Sequence, residues 1–321
     1  MKIVHAEQRL PEAFRGAVAA LGNFDGVHRG HAMLIAEARR FAERRAAPLA
    51  AVVFDPHPRE FFRPEDRPFL LTDLETKARL LGELGVEFVI VLDFDARLAG
   101  TDADSFVCDI LADRLGLAGV VVGAEFRYGK ARVGDARHLR ETGDRTGMDV
   151  LIVEPAHAPG AEEKYSSTQA RAALRDGDPA AARKILGRYW EIAATVEKGA
   201  ARGRRIGFPT ANLKLGRLVQ PKPGVYAVIV KTPDGARHPG VANYGRRPTI
   251  GDLEEPLLEV HLIDFDGDLY GARLEVAFVD FIRPERTFDG LDALKAQIAA
   301  DLETARRKLA AAAQPDSASR A

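Results

Sequence analysis

The chain has 321 residues, more than one hydrophobic core usually serves, so two domains are the starting expectation. Apolar residues make up 46% and charged residues 29%, as in ordinary globular proteins. The 46 basic and 47 acidic side chains nearly cancel, which excludes the basic excess typical of nucleic-acid-binding proteins. No apolar run is long enough to cross a bilayer, and the single cysteine allows no internal disulfide. We therefore expect a cytoplasmic protein with no membrane partner.

Up to about residue 186, short apolar runs alternate with helical patterns. In chain order these segments are 16–24, 31–45, 48–54, 75–85, 87–94, 104–116, 118–123 and 148–155. Such alternation predicts parallel strands joined by helical crossovers, and hence a doubly wound α/β domain over residues 1–186. Because this architecture binds ligands beyond the carboxyl ends of its strands, the residues that follow each apolar run are candidates for chemistry.

Beyond residue 186 the pattern changes to short alternating segments separated by Gly, Pro and Asp-Gly turns, at 190–199, 224–235, 236–245, 256–271 and 272–284. This pattern predicts an antiparallel β-barrel in a second domain, residues 187–321. The domain closes with a predicted amphipathic helix over 291–313, whose apolar stripe is Leu291, Leu294, Ile298, Leu302, Ala305 and Leu309. The tail 314–321 is expected to be disordered.

The stretch LGNFDGVHRGHAML (21–34) joins the first predicted strand to the first predicted helix. Unpaired backbone N–H groups at such a turn point past the sheet edge and favour an anion. Glycines 22, 26 and 30 allow tight turning and close approach of a phosphate, and His28 and His31 can donate ring N–H groups to it. The alternatives are a zinc pair or two polar residues without a special role, and two histidines without a third ligand support a zinc site poorly.

The segment KYSSTQARAALRDGD places Ser166, Ser167 and Thr168 just before another predicted helix. Taken alone, these hydroxyls are typical of plain helix capping. Arg171 follows one turn into the helix, so hydroxyls and a guanidinium can converge on a second phosphate position suited to a leaving pyrophosphate.

Four motifs together resemble the adenylyltransferase module of the bacterial bifunctional riboflavin kinase/FMN adenylyltransferases, also called FAD synthetases. They are GNFDGVHRGH (22–31), FDPHP (54–58), VGAEFRYGKARVGD (122–135) and SSTQARAAL (166–174). The resemblance implies that the phosphate of FMN attacks the α-phosphorus of ATP. The ATP contacts that it implies are Gly22, Asn23, Phe24, Asp25, Gly26, His28, His31, Ser167, Thr168 and Arg171.

A phosphate nucleophile is already ionised at neutral pH, so this step needs positive potential and alignment but no general base. The candidate flavin contacts in these motifs are Phe54, His57, Glu125 and Phe126, with core packing as the alternative for the two phenylalanines. The family commonly has Asp or Asn at position 125 and a bulkier aliphatic residue at position 170, so Glu125 and Ala170 here affect the expected fit of the flavin.

In the second domain, RGRRIGFPTANLKL (202–215) is a basic, glycine-bearing loop that runs into a predicted strand. Thr210 and Asn212 are two residues apart, so in an extended strand both face one side and present hard oxygens acceptable to Mg²⁺ beside ATP phosphates. By themselves they fit equally well as polar residues next to a turn. Alternation places Glu259 and His261 opposite Leu258 in the strand 256–262, and a strand glutamate is ordinarily exposed to solvent.

GFPTANL, PGVYAV, GVANYGRRPTIG and LEVHLIDFDGDLYG, in this order, resemble the riboflavin kinase module of the same family. The resemblance implies transfer of the γ-phosphoryl group of ATP to the ribityl 5′-hydroxyl of riboflavin. It also implies ATP contacts at Gly207, Pro209, Thr210 and Asn212, with Mg²⁺ near the last two, and Glu259 as the base. An alcohol stays protonated at neutral pH, so a carboxylate base typically contributes about 10²–10⁴-fold.

The resulting hypothesis is an enzyme that makes FMN in the barrel and FAD in the α/β domain, with riboflavin, FMN and ATP as small-molecule substrates and Mg²⁺ as cofactor. Whether it forms a homo-oligomer stays open. One alternative is a nucleotidylyltransferase for another phosphorylated acceptor. A second alternative, from a different class, is a chain in which one domain binds flavin without catalysis. Tyr244, where an aliphatic residue is more usual, is a further departure from the family pattern.

Overall fold

The computed structural model describes residues 1–7, 9–66, 68–155, 164–198, 207–246 and 256–313. The chain divides into two compact units, Met1–Arg67 with Thr72–Ser167, and Pro68–Leu71 with Thr168–Ala321. This division falls N-terminal to the boundary predicted after residue 186, which stays a prediction. The basic residues 202–206, the motif residues 247–251 and the tail 314–321 lie outside the described residues.

The first unit is built on a six-stranded sheet whose strand pairs are parallel. Its strands are β1 (Lys2–His5), β2 (Val18–Leu21), β3 (Leu49–Asp55), β4 (Phe88–Asp93), β5 (Gly119–Gly123) and β8 (Asp149–Val153), and a short hairpin of β6 (Arg127–Tyr128) and β7 (Gly134–Asp135) follows β5. The order across the sheet is β1-β4-β3-β2-β5-β8. The direction of winding changes between β2 and β5, which is where such sheets bind ligands.

Helices cover both faces of this sheet. They are α1 (Arg29–Glu43), α2 (Pro58–Phe62), α3 (Leu74–Glu83), α4 (Ala96–Gly100), α5 (Ala103–Ser105), a π-helix (Phe106–Arg114) and α6 (Ala136–Thr146). One apolar cluster packs α1 and α3 on the sheet, and a second packs the π-helix and α6 on its other face. The central strands are buried on both sides, as in parallel sheets generally, and the predicted doubly wound fold is confirmed.

The second unit contains an antiparallel, nearly closed barrel, which confirms the predicted fold. Its strands are β9 (Trp190–Thr195), β10 (Ala211–Lys214), β11 (Gly224–Lys231), β12 (Arg237–Arg246), β13 (Pro256–Leu262) and β14 (Arg273–Arg283), in the order β10-β13-β12-β11-β14-β9. Just beyond β9, the Glu197 N–H donates to the Asn212 carbonyl at 2.9 Å, which brings the two edge strands together. Ala170 and Tyr244, the two departures from the family pattern, are buried in the core of this unit.

Among the described residues, three helices belong to this part of the chain: α7 (Ser167–Asp176), α8 (Pro179–Leu186) and α9 (Leu291–Ala313). The predicted stripe of α9 packs on the barrel through Leu302, Ala305 and Leu309. Leu291, predicted to begin that stripe, is 52% exposed, because the apolar cluster that covers α9 does not extend to its first turn. In the described part of the chain, no helix combines the length and apolar character needed to span a bilayer.

Candidate active sites

The turn between β2 and α1 is anchored by a buried carboxylate. Asp25 is 2% exposed, and its Oδ1 accepts from the Thr72 N–H at 3.1 Å and from the Thr72 hydroxyl at 3.4 Å. The Gly26 N–H donates to Thr72 Oγ1 at 3.1 Å, and the Ser167 hydroxyl donates to the Asp25 carbonyl at 2.8 Å. Buried polar groups joined in this way fix the turn. Thr72 carries no motif, so sequence reasoning missed it.

The three glycines of this turn differ in backbone conformation and in the space around them. Gly26 has a φ of +80°, a conformation that favours glycine, whereas no left-handed φ occurs at Gly22 or Gly30. A Cβ at Gly22 would lie 3.4 Å from the Phe24 ring, and one at Gly30 would lie 3.1 Å from the His28 ring. The predicted tight turning therefore belongs to Gly26. Gly30 leaves room for the His28 ring, whereas a Cβ at Gly22 would make only an ordinary contact with Phe24.

His28 caps helix α1 through its own ring. Its Nδ1 accepts a hydrogen bond from the His31 backbone N–H at 3.3 Å, and the two imidazole rings stack at 3.6 Å with 17° between their planes. The edge of the Phe24 ring lies against His31, with 5.1 Å between centroids. Because Nδ1 is an acceptor, the neutral His28 ring carries its proton on Nε2, where it is a donor for an anion.

The predicted pyrophosphate residues are divided between the two units. Ser167 belongs to the first unit and bonds to the histidine turn, whereas Thr168 and Arg171 belong to the second. Arg171 is buried there, with its Nε donating to the Phe69 carbonyl at 2.7 Å and its guanidinium 4.9 Å from the Phe69 ring centre. Convergence of these residues on one phosphate stays a prediction.

Two of the predicted flavin residues, Phe54 and His57, lie at and just beyond the carboxyl end of β3. Phe54 is buried in the apolar core with its ring edge-on to Phe94 at 5.8 Å, in agreement with the alternative of core packing. His57 caps α2, since its Nδ1 accepts from the backbone N–H of Arg59 at 3.1 Å and its backbone N–H donates to Glu60 Oε2 at 3.3 Å. Both side chains therefore have structural roles, and their contact with a flavin stays a prediction.

The other two flavin candidates follow β5, which pairs with β2 on the side opposite β3. Glu125 is exposed and forms an ion pair with Lys164. Phe126 is half-buried, and its ring stacks on Tyr128 with centroids 5.6 Å apart and 17° between the planes. All four flavin candidates thus lie near the carboxyl ends of the two strands that flank β2.

In the barrel, strand register sets three polar residues side by side. Glu259 on β13 pairs directly with Asn212 on β10 and with Asn243 on β12. Directly paired residues of an antiparallel sheet share one face, with Cβ atoms about 4.5–5.5 Å apart. Leu258 and Val260 fill the opposite, buried face, as the alternation predicts. Sequence reasoning missed Asn243, because only strand register brings it beside Glu259.

The surroundings of Glu259 are not open solvent. Its side chain is half-buried, and Asn212 is 6% exposed. Within the described residues, the buried Asn212 Oδ1 has no hydrogen-bond partner. An unsatisfied buried acceptor costs about 1–3 kcal/mol unless a bound group satisfies it. The oxygen is therefore available to a ligand.

The turn before β10 carries the remaining kinase candidates. Gly207 has a φ of +90°, and Thr210 is half-buried. His261, two residues beyond Glu259, places its Nδ1 2.7 Å from the Pro209 carbonyl, so its N–H donates there and holds the turn. A cavity of about 70 Å³ adjoins this turn and is lined by Val196, Pro209, Thr210, Ala211, Val260, Leu262, Phe265, Gly267, Asp268, Leu269 and Tyr270.

Comparison with known proteins agrees with this division of sites. A family model described as FAD synthetase matches residues 10–169, and one described as riboflavin kinase matches residues 186–309. The bifunctional riboflavin kinase/FMN adenylyltransferase of Pseudomonas fluorescens is 43% identical over 306 residues, covering 95% of this chain and 97% of its own. The protein of the same name from Escherichia coli K12 is 41% identical over 307 residues, with the same coverage.

Among solved structures, a protein from Streptococcus pneumoniae described as a macrolide-efflux protein is similar over nearly its whole length. It is 31% identical, with a TM-score of 0.82 that covers 95% of this chain and 99% of that one. This comparison supports the fold, and the efflux activity is a description of that protein. On the family matches and the relatives together, the chain belongs to the bifunctional riboflavin kinase/FMN adenylyltransferases, with its FAD synthetase part first and its riboflavin kinase part second.

Proposed function

We propose that the barrel phosphorylates riboflavin to FMN, and that the α/β unit joins FMN to the adenylyl group of ATP to give FAD. The observation that supports this assignment best is the difference between the two sites. In the first site, His28 caps the helix at a turn that favours an anion, and His31 stacks on it. The second holds a half-buried carboxylate beside a buried amide oxygen with no hydrogen-bond partner in the described chain. The two acceptors differ in the same way, since one is a phosphate and the other an alcohol.

In the adenylyl step, an oxygen of the FMN phosphate attacks the α-phosphorus of ATP, and the bond to the β-phosphate breaks to release pyrophosphate. His28 can donate Nε2–H to the triphosphate, and the ring of His31 stacks on the ring of His28. Fixed donors of this kind stabilise the charge that develops in the transition state. Ser167, Thr168 and Arg171 are proposed to hold the departing pyrophosphate.

In the kinase step, the ribityl 5′-hydroxyl of riboflavin attacks the γ-phosphorus of ATP, and ADP leaves. Glu259 accepts the hydroxyl proton as the new bond forms. Asn212 and Asn243 flank Glu259 on the same face of the barrel. Gly207, Pro209 and Thr210 form the adjacent turn, where we propose that the phosphates of ATP lie.

The residues at this site fit Mg²⁺. Asn212 Oδ1 is a hard oxygen, buried and without a hydrogen-bond partner in the described chain, and Thr210 supplies a hydroxyl two residues earlier. Oxygen ligands of this kind are those that magnesium takes in phosphoryl-transfer enzymes. When bound, the ion would neutralise charge on the phosphates of ATP. We propose Thr210 and Asn212 as the protein groups that hold it.

Incubating purified protein with riboflavin, ATP and Mg²⁺, and separating the flavins by chromatography, tests the assignment. We expect FMN to appear first and FAD after it. If neither forms, the proposed function is wrong. Formation of FAD from supplied FMN, but none from riboflavin, would instead favour a barrel that binds flavin without catalysis. We also propose a cytoplasmic location for the protein and a domain boundary near residue 186. Gel filtration with light scattering can decide whether homo-oligomers form.

A further inference from the structure

A buried tyrosine stands under one of the proposed flavin contacts. Tyr128 is 6% exposed, and its ring lies between Phe126, stacked at 5.6 Å, and Phe106, tilted at 5.3 Å. Across the hairpin, a Cβ at Gly134 would lie 2.7 Å from the Tyr128 ring. The glycine therefore lets the ring lie flat against its partner strand, and the tyrosine in turn supports the ring of Phe126.

The hairpin that carries Tyr128 is too short to hold its own shape. Strands β6 and β7 have two residues each and pair only at Arg127 with Asp135 and at Tyr128 with Gly134. An isolated two-stranded hairpin is marginally stable at best, even when its strands are longer. The conformation of the segment after β5, which includes Glu125 and Phe126, must therefore be set by contacts outside the hairpin.

A polar chain supplies these contacts. The Tyr128 hydroxyl lies 2.7 Å from His138 Nδ1 on α6, and His138 Nε2 lies 3.7 Å from Asp104 Oδ1. Asp104 is held in turn by Arg145 at 2.6 Å and by the Thr142 hydroxyl at 3.3 Å. Besides this chain, the Lys130 N–H donates to the Thr101 carbonyl at 2.7 Å, which ties the hairpin loop to the same region.

The direction of the hydrogen bonds follows from the surroundings. Burial, reinforced by the nearby carboxylates of Asp104 and Asp135, raises the pKa of Tyr128, so its phenol keeps its proton. His138 Nε2 faces the carboxylate of Asp104, which can only accept, so the neutral ring carries its proton on Nε2 and its Nδ1 accepts from the Tyr128 hydroxyl. Each group in the chain is therefore either a donor or an acceptor in its contact. The hydroxyl bond and the ring contacts with Phe106 and Phe126 together hold the Tyr128 ring in position and rotation.

We propose that Tyr128, His138 and Asp104 form a positioning chain that holds the ring of Phe126 in place for the flavin ring of FMN, and so helps to set FMN affinity in the adenylyl step. This inference rests on the proposed function of the α/β unit. It assigns no chemical step to the three residues. Loss of the chain should weaken FMN recognition and leave the phosphate chemistry of ATP unchanged.

The test uses the full-length enzyme supplied with FMN, ATP and Mg²⁺, with FAD formation as the assay. Tyr128→Phe removes only the hydroxyl, and His138→Leu removes its acceptor. Each should raise the KM for FMN about three- to tenfold, the size expected for one partly buried hydrogen bond, with the KM for ATP unchanged. The double variant should be no worse than either single one, because both break the same contact.

His138→Asn provides a conservative rescue, because an amide oxygen near the position of Nδ1 can still accept from Tyr128. Its KM for FMN should return most of the way to the wild-type value. Tyr189→Phe, which removes a phenol hydroxyl in the second unit, should change neither KM. An unchanged KM for FMN in Tyr128→Phe, or additive effects in the double variant, would overturn the proposal. Absence of FAD formation by the wild-type enzyme would refute the proposed function itself.

Discussion

Replacing Glu259 by Gln tests the role of the carboxylate with almost no change of shape. Gln has the same size and keeps the same register position between Asn212 and Asn243, so no cavity forms and stability should change little. What is lost is a proton acceptor, and removing a positioned general base typically costs about 10²–10⁴-fold. That loss corresponds to about 3–5 kcal/mol of transition-state stabilisation.

The assay follows FMN formation from riboflavin under saturating ATP, and FAD formation from supplied FMN in parallel. We expect Glu259→Gln to lose the first activity and keep the second. Glu275→Gln is the matched control, because Glu275 also lies on a barrel strand but pairs with Lys231 at 3.1 Å. A fall in FMN formation of less than about tenfold would show that Glu259 is not the general base. Loss of both activities would show that the two sites are not independent.

Three further predictions concern other parts of the chain. His28→Asn keeps a side chain suited to helix capping but removes the Nε2–H donor. FAD formation should therefore fall about 10²–10³-fold while FMN accumulates from riboflavin. An unchanged rate of FAD formation would contradict the role of His28 as a donor to the triphosphate. Thr72→Val removes the acceptor of the Gly26 N–H and should lower both FAD formation and the free energy of unfolding, the latter by about 1–3 kcal/mol. Thr72→Ser is the control, because it keeps the hydroxyl and should leave both near their wild-type values. Burial raises the pKa of Tyr128 and Tyr226, so an alkaline titration of tyrosinate absorbance should find these two still protonated above about pH 10 in the folded protein. The free energy of unfolding should then decrease as the pH rises past that value. Ionisation of all six tyrosines near pH 10 without unfolding would refute this.

The fold could be predicted from sequence because its signals are local. Apolar runs of strand length alternate with helical patterns in the first part, and Asp-Gly and Pro turns separate alternating segments in the second. The first strand was missed, because Lys2–His5 is four residues long and gains its stability from pairing with Phe88–Asp93, far along the chain. Leu291 fits the helical period of α9, but a sequence period cannot show how far the surface that covers a helix extends.

The same limit applies to the sites. Motifs identified the histidine turn and the strand that carries Glu259, since each is a continuous run of sequence. Thr72 belongs to no motif, and Asn243 lies in the motif GVANYGRRPTIG without an assigned role. Both roles were missed, because each residue acts through another that is distant in sequence. The hydrogen bond between Tyr128 and His138 was missed for a different reason. The residues are only ten apart, but a hairpin and a helix start must fold between them before the two side chains meet.

The central claim is that one chain transfers two different phosphorus atoms of ATP to one flavin. It is tested most directly by supplying riboflavin with ATP labelled at either the α- or the γ-phosphorus, and isolating FMN and FAD. The account predicts that the γ-label enters FMN and persists in FAD, whereas the α-label enters FAD alone. Label from the α-phosphorus in FMN, or FAD without label from the γ-phosphorus, would contradict it.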